Sequence, residues 1–395
     1  MKVLITGANG FVGKNLQLCL SERKDVSVVF FTRSNDIAQL PGLLQGVDLV
    51  FHLAGVSRPR DPQGFVMGNV GLTQALCKAV CAVAEATGKN VPIIYTSSTQ
   101  AERDNAYGLS KRAAEDALRA IADSHQLKVH IFRLPNVFGK WCKPNYNSAV
   151  ATFCHNIARG LPIQVNDPAT PVTLVYVDDV IARFVQLMDD IRHCKEERRS
   201  NPSRLDCRAA LAMTGVGQDF STVEPQYNTT VGELAGLVQA FKDSRGTLMT
   251  EHVGTGMVRA LYATYVSYLP VESFTYTVPK HGDRRGVFVE MLKTPDCGQL
   301  SFFTAYPGIT RGGHYHHSKT EKFLVIKGQA RFKFRNMQSG QTHELVTNGD
   351  KPEIVETVPG WAHDVTNIGT DEMIVMLWAN ELFDRERPDT FACAM

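Results

Sequence analysis

Tyr107 and Lys111 are four residues apart, a spacing that puts both side chains on one face of a helix. A phenol that titrates near about pH 10 is a poor acid–base group at neutrality, and a nearby ammonium favours the phenolate and brings it toward working range. Ser97 and Ser98 close an apolar run just upstream and offer hydroxyls to the same carbonyl oxygen. At the start of the chain stands Thr6-Gly7-Ala8-Asn9-Gly10-Phe11-Val12-Gly13. Between a strand and a helix, Gly7 permits the tight turn, Gly10 lets the backbone approach a pyrophosphate, and Gly13 lets helix and strand pack closely. The helix N-terminus then presents N–H groups to the anion. Thr32-Arg33 lies about 20 residues past the glycines, where an acidic residue would take the ribose 2′-hydroxyl of NAD; Arg33 suits a 2′-phosphate, which favours NADPH.

A second constellation lies far downstream: His314, His316 and Glu321, answered by His363. Residues two apart in a strand face the same side, so His314 and His316 can both point into a barrel. Three imidazoles and a carboxylate suit Zn²⁺, Fe²⁺, Mn²⁺ or Ni²⁺. His317 leaves the ligand set open: His314, Glu321 and His363 alone could bind the metal, with His316 or His317 free as a base.

Strand-like and helical stretches alternate over residues 1 to about 190 to position the first set. Strands are expected at Lys2 to Thr6, Val26 to Thr32, Asp48 to Leu53, Val91 to Thr96 and Val129 to Leu134, with helices over Thr73 to Thr87 and Lys111 to Ala122. This rhythm predicts a doubly wound parallel α/β sheet. Residues 192–228 read as an exposed, disordered insertion rich in charge, glycine and polar residues. Thr230 with Glu233 resembles a capping box before a helix, and Tyr262 to Leu269 reads as an aromatic connector. From about Ser273 short apolar runs alternate with Gly, Pro and Asn turns, which predicts an antiparallel all-β barrel or jelly roll. The expected division is 1–255 for the dinucleotide-binding domain, 256–272 for a connector and 273–395 for the barrel.

With 395 residues the chain is too long for one core and comfortable for two domains. A formal net charge of +2 offers no nucleic acid or membrane surface an electrostatic footprint. Nine scattered cysteines, an odd number without a CxxC pair, favour reduced thiols in a cytoplasmic protein. No signal peptide and no membrane-spanning apolar run are expected.

The first half resembles the extended short-chain dehydrogenase/reductase superfamily. The resemblance is carried by the glycine loop, by His52-Leu53-Ala54-Gly55, Asn69 and Tyr107-Gly108-Leu109-Ser110-Lys111, and by Arg133 to Gly139 and Tyr176 to Val180. It implies that Ser98, favoured over Ser97, polarises a carbonyl, that Tyr107 donates the proton and that Lys111 holds the nicotinamide ribose. Asn136 would lie beside the substrate, and Leu53, Ala54 and Gly55 would line the cofactor with Gly7, Asn9, Gly10, Phe11, Val12 and Gly13. The second half is similar to the cupins, with Gly308, His314, His316, Glu321 and Gly328 in the spacing of the first cupin motif and Gly360-Trp361-Ala362-His363 with Asn367 in that of the second.

The whole chain resembles the CapF/WbjC family of capsule and O-antigen biosynthesis, in which a reductase domain precedes a cupin. Gly139 to Ser148, Ile163 to Asp167, Tyr265 to Pro270 and Glu321 to Val325 extend the match. This resemblance implies a cytoplasmic homodimer with zinc in the cupin and a UDP-linked 4-keto-6-deoxy amino sugar as substrate. The cupin would epimerise C3 of UDP-2-acetamido-2,6-dideoxy-β-L-arabino-hexos-4-ulose, and the other domain would reduce C4 with NADPH to give the L-talose product, on a route to UDP-N-acetyl-L-fucosamine. Lys140, Trp141, Lys143 and Asn147 are the candidate substrate contacts beside Asn136. A 4-ketone acidifies the adjacent C–H bonds, and its reduction abolishes that acidity, so epimerisation must come first. The alternative is a single-activity 4-ketosugar reductase with a structural or regulatory cupin.

Overall fold

The computed structural model describes residues 1–200, 220–283, 286–289, 291–292, 298–381 and 386–395. The chain divides into two compact units: Met1–Val137 with Thr173–Tyr227, and Phe138–Val172 with Asn228–Met395.

In the first unit β1 (Lys2–Thr6), β2 (Ser27–Phe31), β3 (Leu49–His52), β4 (Ile93–Ser98) and β5 (Val129–Leu134) form a sheet in the order β2-β1-β3-β4-β5. All pairs are parallel. Strands with both faces covered must be apolar throughout, and the buried runs Val3-Leu4-Ile5 and Leu49-Val50-Phe51 meet that demand. One face packs on the helices Leu72–Thr87 and Ala106–His125 through Leu76, Val80, Ala114 and Leu118. Phe184, from the helix Val177–Ser200, lies against Phe132 and Phe51 with ring centroids 5.0 and 6.1 Å apart.

Two expectations for this unit change. Residues 192–200 continue that helix instead of opening an irregular insertion. At the far end Ser221 bridges to Phe132, Val223 is buried and Phe220 stacks under Arg133, because the chain returns along the edge of the sheet. Residues 201–219 of the expected insertion lie outside the described residues. Secondly, the run Gln63–Thr87 is, by length and composition, apolar enough to cross a membrane. Leu76, Cys77, Ala79 and Val80 spend that apolarity on the core.

β6 (Asn136–Phe138), β7 (Pro171–Tyr176) and β8 (Gln226–Thr230) form a small sheet of their own. The second unit then contains β9 (Thr275–Thr277), β10 (Lys280–Asp283), β11 (Gly286–Val289), β12 (Gln299–Ala305), β13 (Thr310–Tyr315), β14 (Glu321–Lys327), β15 (Gln329–Asn336), β16 (Thr342–Asn348), β17 (Glu353–Glu356), β18 (Trp361–Asn367), β19 (Met373–Ala379) and β20 (Phe391–Ala392). Among the described residues these form two five-stranded antiparallel sheets, β12-β19-β14-β17-β9 and β16-β15-β18-β13-β20, and the antiparallel pair β10-β11. Phe323, Phe332 and Phe334 are buried, with Phe323 and Phe332 in ring contact.

The segment expected as a connector is instead the helix Gly256–Ser267. Tyr262 and Tyr265 are buried there and contact Phe241 of the helix Val231–Thr247, which starts at the expected Thr230/Glu233 capping box. Its aromatic residues are core residues, a role that an apolar run alone does not distinguish from a linker. The helical layer and the barrel share one buried ion network. Glu356 accepts from Lys322 at 2.7 Å, from Arg245 at 2.5 Å and from the Tyr262 hydroxyl at 3.4 Å.

Candidate active sites

In the glycine loop Gly7 has φ +71, and a Cβ on it would stand 2.6 Å from the backbone of Ala54. On Gly13 a Cβ would stand 2.3 Å from the Gly7 carbonyl oxygen. The helix Phe11–Ser21 has Gly10 as N-cap, no side-chain cap and no acidic residue in its first turn. Its N–H groups and dipole therefore face an anion without a competing carboxylate, and this cradle fits a dinucleotide pyrophosphate. Asn9 and Gly10 are exposed, Phe11 and Val12 half-buried. Across the loop Leu53 donates its N–H to the Thr6 carbonyl at 3.2 Å, Ala54 donates to the Thr6 hydroxyl at 3.3 Å, and Gly55 is open. Arg33 is exposed just past the end of β2, beside a Thr32–Ser34 hydroxyl pair at 2.8 Å.

Asn105 caps the helix Ala106–His125 by accepting the Gly108 N–H at 2.8 Å. That helix carries Tyr107, Lys111 and Glu115 down one face. Lys111 is buried and donates to the Thr96 carbonyl at 2.7 Å and the Tyr95 hydroxyl at 3.0 Å. Burial lowers its ammonium to about 8, and Glu115 opposes that fall. Burial raises the Tyr107 phenol above its usual range, against a hydrogen bond with Ser98. This differs from the expected downward pull by Lys111, two of whose three N–H groups go to Tyr95 and Thr96 and whose charge does not offset the burial of the phenol. A phenol that keeps its proton at neutrality is suited to donate one to a reduced carbonyl.

The two serines separate here. Ser97 donates to the buried Glu115, which also accepts from Arg133 at 2.7 and 3.0 Å, whereas Ser98 bonds with Tyr107. Asn69 sits in a π-helical turn, Val66–Gly71, and exchanges both hydrogen bonds with Val56. His52 is buried neutral, its imidazole pushed down to about 3, between the Thr6 and Thr73 hydroxyls.

Asn136 belongs to this unit and donates to the Thr173 carbonyl at 3.1 Å. Lys140, Trp141, Lys143 and Asn147 belong to the second unit. Lys140 is buried over the Trp141 ring, while Lys143 lies over Tyr146. Trp141 adopts φ 68 and packs on Gly360, where an added Cβ would be 2.6 Å from its ring. The Gly360 N–H in turn bonds the His316 carbonyl at 2.9 Å.

In the barrel, one ligand atom from each of His314, His316, Glu321 and His363 lies within 4.8 Å of the other three. Register explains half of this, since β13 pairs with β18 so that His314 faces His363. β13 ends at Tyr315, so the expected strand alternation does not place His316. Its Nδ1–H donates to the Asp389 carbonyl. Its Nε2 meets Glu321 Oε2 at 3.2 Å, and His363 Nε2 lies 3.5 Å from the same oxygen. Among the described residues neither ring nitrogen of the buried His363 finds a hydrogen-bond partner.

Burial opposes ionisation of Glu321, but the two histidines outweigh it and hold the carboxyl well below its usual range. Burial lowers His314 to about 4, helped by His363 and His316. Because Nδ1 of His316 is taken by the Asp389 carbonyl, its Nε2 is the atom that faces Glu321, and a cation seated there would be met by a ring nitrogen and a carboxylate oxygen. The orphaned nitrogens and this donor set fit a divalent metal ion. His317 turns its ring to Phe391 and Tyr315, with centroids 4.9 and 5.7 Å away.

Residues 3–201 match the NAD dependent epimerase/dehydratase family, and residues 281–391 match the polysaccharide biosynthesis C-terminal domain. The chain is 58% identical over its whole length to the UDP-2-acetamido-2,6-beta-L-arabino-hexul-4-ose reductase of Pseudomonas aeruginosa, covering 99% of that protein. Among solved structures, the capsular polysaccharide assembling protein CapF of Staphylococcus aureus is 38% identical, with TM-score 0.63 and full coverage of both chains. CapF with the inhibitor 3-isopropenyl-tropolone is 35% identical with TM-score 0.59, again over both whole chains. The chain belongs to the CapF family. It is thus an enzyme of the reductase–cupin arrangement and takes a nicotinamide cofactor.

Sequence reasoning missed several residues at this CapF-family chain's two sites. Tyr95 lies mid-strand, where an aromatic residue reads as core. Glu115 could have been found as the next helical step after Tyr107 and Lys111. Lys319, whose ammonium lies 3.0 Å from Glu321, and Thr357, which accepts the Glu321 N–H at 2.9 Å, carry no local pattern. Asp389 carries none either. Burial opposes its ionisation, but backbone N–H donors and the nearby histidines hold its carboxyl below the usual range.

Proposed function

We propose that this chain acts twice on one UDP-linked 4-keto-6-deoxy amino sugar. The barrel epimerises C3 of UDP-2-acetamido-2,6-dideoxy-β-L-arabino-hexos-4-ulose, and the dinucleotide-binding site then reduces the C4 ketone to the L-talose product. The observation that carries the reading is that one chain, similar over its full length to a reductase of such a sugar, holds both a Ser98–Tyr107 proton-donating pair and a buried three-histidine, one-carboxylate cluster.

When bound, the nicotinamide supplies the hydride. Ser98 orients the ketone oxygen, Tyr107 gives it a proton, and the Lys111 ammonium stabilises the phenolate left behind. Exposed Arg33, with no acidic residue beside it in Thr32-Arg33-Ser34, supports NADPH over NADH. Asn136, with Lys140, Trp141, Lys143 and Asn147, is assigned to the substrate. In the barrel His314, His316, Glu321 and His363 hold the metal, taken as zinc on the resemblance to the CapF family, an ion that an N₃O donor set accommodates. When bound, such an ion would supply electrostatic stabilisation to negative charge developing on the sugar's ketone oxygen.

A homodimer is supported by the edge strand β12, which exposes Leu300 and Phe302, with Tyr306 and Ile309 beyond it. A cytoplasmic location follows from the cofactor and the sugar nucleotide that the reaction consumes.

The test is NMR of the 4-keto sugar nucleotide in D₂O with enzyme and no NADPH. Deuterium at C3, lost in a His363→Ala variant, is the expected result. No deuterium, with NADPH still consumed when added, would sink the epimerase half and leave a plain reductase.

A further inference from the structure

The tail 386–395 lies about seventy residues beyond the first cupin motif, yet its contacts converge on that motif. The Asp389 carbonyl accepts the Nδ1–H of His316. Its carboxylate accepts the backbone N–H groups of His317, Ser318 and Lys319 at 2.8, 2.7 and 2.7 Å and the Ser318 hydroxyl at 3.0 Å. These residues form the turn between His316 and Glu321. Two positions further on, β20 pairs with β13 so that Ala392 faces His314. One short segment thereby meets the ring of His316, the backbone of His314 and the turn that leads to Glu321.

We propose that Asp389 is a positioning residue of the barrel's metal site and that seating of the C-terminal tail and metal binding form one coupled equilibrium. The proposal rests on the metal-site reading above. A carbonyl can only accept, so its bond to Nδ1 fixes the His316 tautomer and leaves the Nε2 lone pair aimed at the cluster, as ligation requires. The carboxylate fixes the turn that sets the His316-to-Glu321 separation. Asp389→Ala keeps the carbonyl but removes the carboxylate that seats it against the turn, and loss of an outer-shell partner typically weakens metal affinity about 10–100-fold.

The experiment uses the full-length protein and Zn²⁺ in competition with a chromophoric chelator, comparing wild type with Asp389→Ala. The expected result is a loss of Zn²⁺ affinity in that range. The amides of His317, Ser318 and Lys319 should exchange faster, and the visible spectrum of the Co²⁺-loaded protein should change. Failure of the wild type to bind Zn²⁺ would remove the metal-site reading itself. A wild type that binds, beside a variant with unchanged affinity, exchange and Co²⁺ spectrum, overturns only the role given to Asp389. If Asp389→Ala does not fold, Asp389→Asn replaces it, because it keeps one side-chain acceptor. An intermediate Zn²⁺ affinity is then expected, and wild-type affinity with wild-type amide protection overturns the proposal.

Discussion

Replacing Tyr95 by phenylalanine removes one oxygen and should move the alkaline limb of the reductase pH profile. Tyr95 is buried in β4, and its hydroxyl accepts one of the two hydrogen bonds that Lys111 donates, at 3.0 Å. The other goes to the Thr96 carbonyl at 2.7 Å and stays. Burial already brings the ammonium down from 10.5 to about 8. A hydrogen bond to a charged group is worth about 1.5 kcal/mol or more, and 1.36 kcal/mol is about one pKa unit. Taking an acceptor away destabilises the charged form, so the Lys111 pKa should drop to roughly 7. At pH 8 the charged fraction then falls from about a half to about a tenth, a loss of ~5-fold.

The assay is kcat/KM for NADPH oxidation with the 4-keto sugar nucleotide between pH 6 and 10, which reports ionisations of the free enzyme. Tyr107 does not confuse the reading, because burial raises its phenol and keeps it protonated across that limb. The expected result is a limb near pH 8 in wild type that moves about one unit lower in Tyr95→Phe. A limb that stays in place, or a uniform loss at all pH values, would refute the assignment of Lys111 as the titrating group.

Tyr107→Phe should abolish NADPH oxidation yet leave C3 deuterium exchange intact; loss of both activities would mean the two steps share a site. His363→Ala should lower bound metal measured by elemental analysis, and undiminished metal would remove His363 from the ligand set. Gly13→Ala should weaken NADPH binding at least about tenfold in a fluorescence titration, because the new Cβ stands 2.3 Å from the Gly7 oxygen and the loop must move. Gly360→Ala combines φ +78 with a clash 2.6 Å from the Trp141 ring. It should cost ~1–3 kcal/mol in unfolding experiments and shift tryptophan emission; an unchanged spectrum would show that Trp141 does not rest there in solution.

Sequence alone determined what short-range pattern encodes. The five apolar runs of the parallel sheet, the capped helix after Thr230 and the strand-rich texture beyond Ser273 follow from side-chain periodicity and turn residues, which act within a few positions of the chain. The glycine loop, the Tyr107–Lys111 pair and the His314-to-Glu321 spacing were legible for the same reason. The tertiary structure alone decided which of two adjacent serines meets the phenol, since Ser97 is claimed by Glu115 on a different element. It also decided that the expected connector carries a packed helix, Gly256–Ser267, and that Trp141 rests on Gly360. Likewise Asp389 holds the turn before Glu321 across a separation of about seventy residues. Such contacts depend on sheet order, strand register and the path of the tail, which are fixed when the whole core closes and leave no mark on neighbouring residues in the chain.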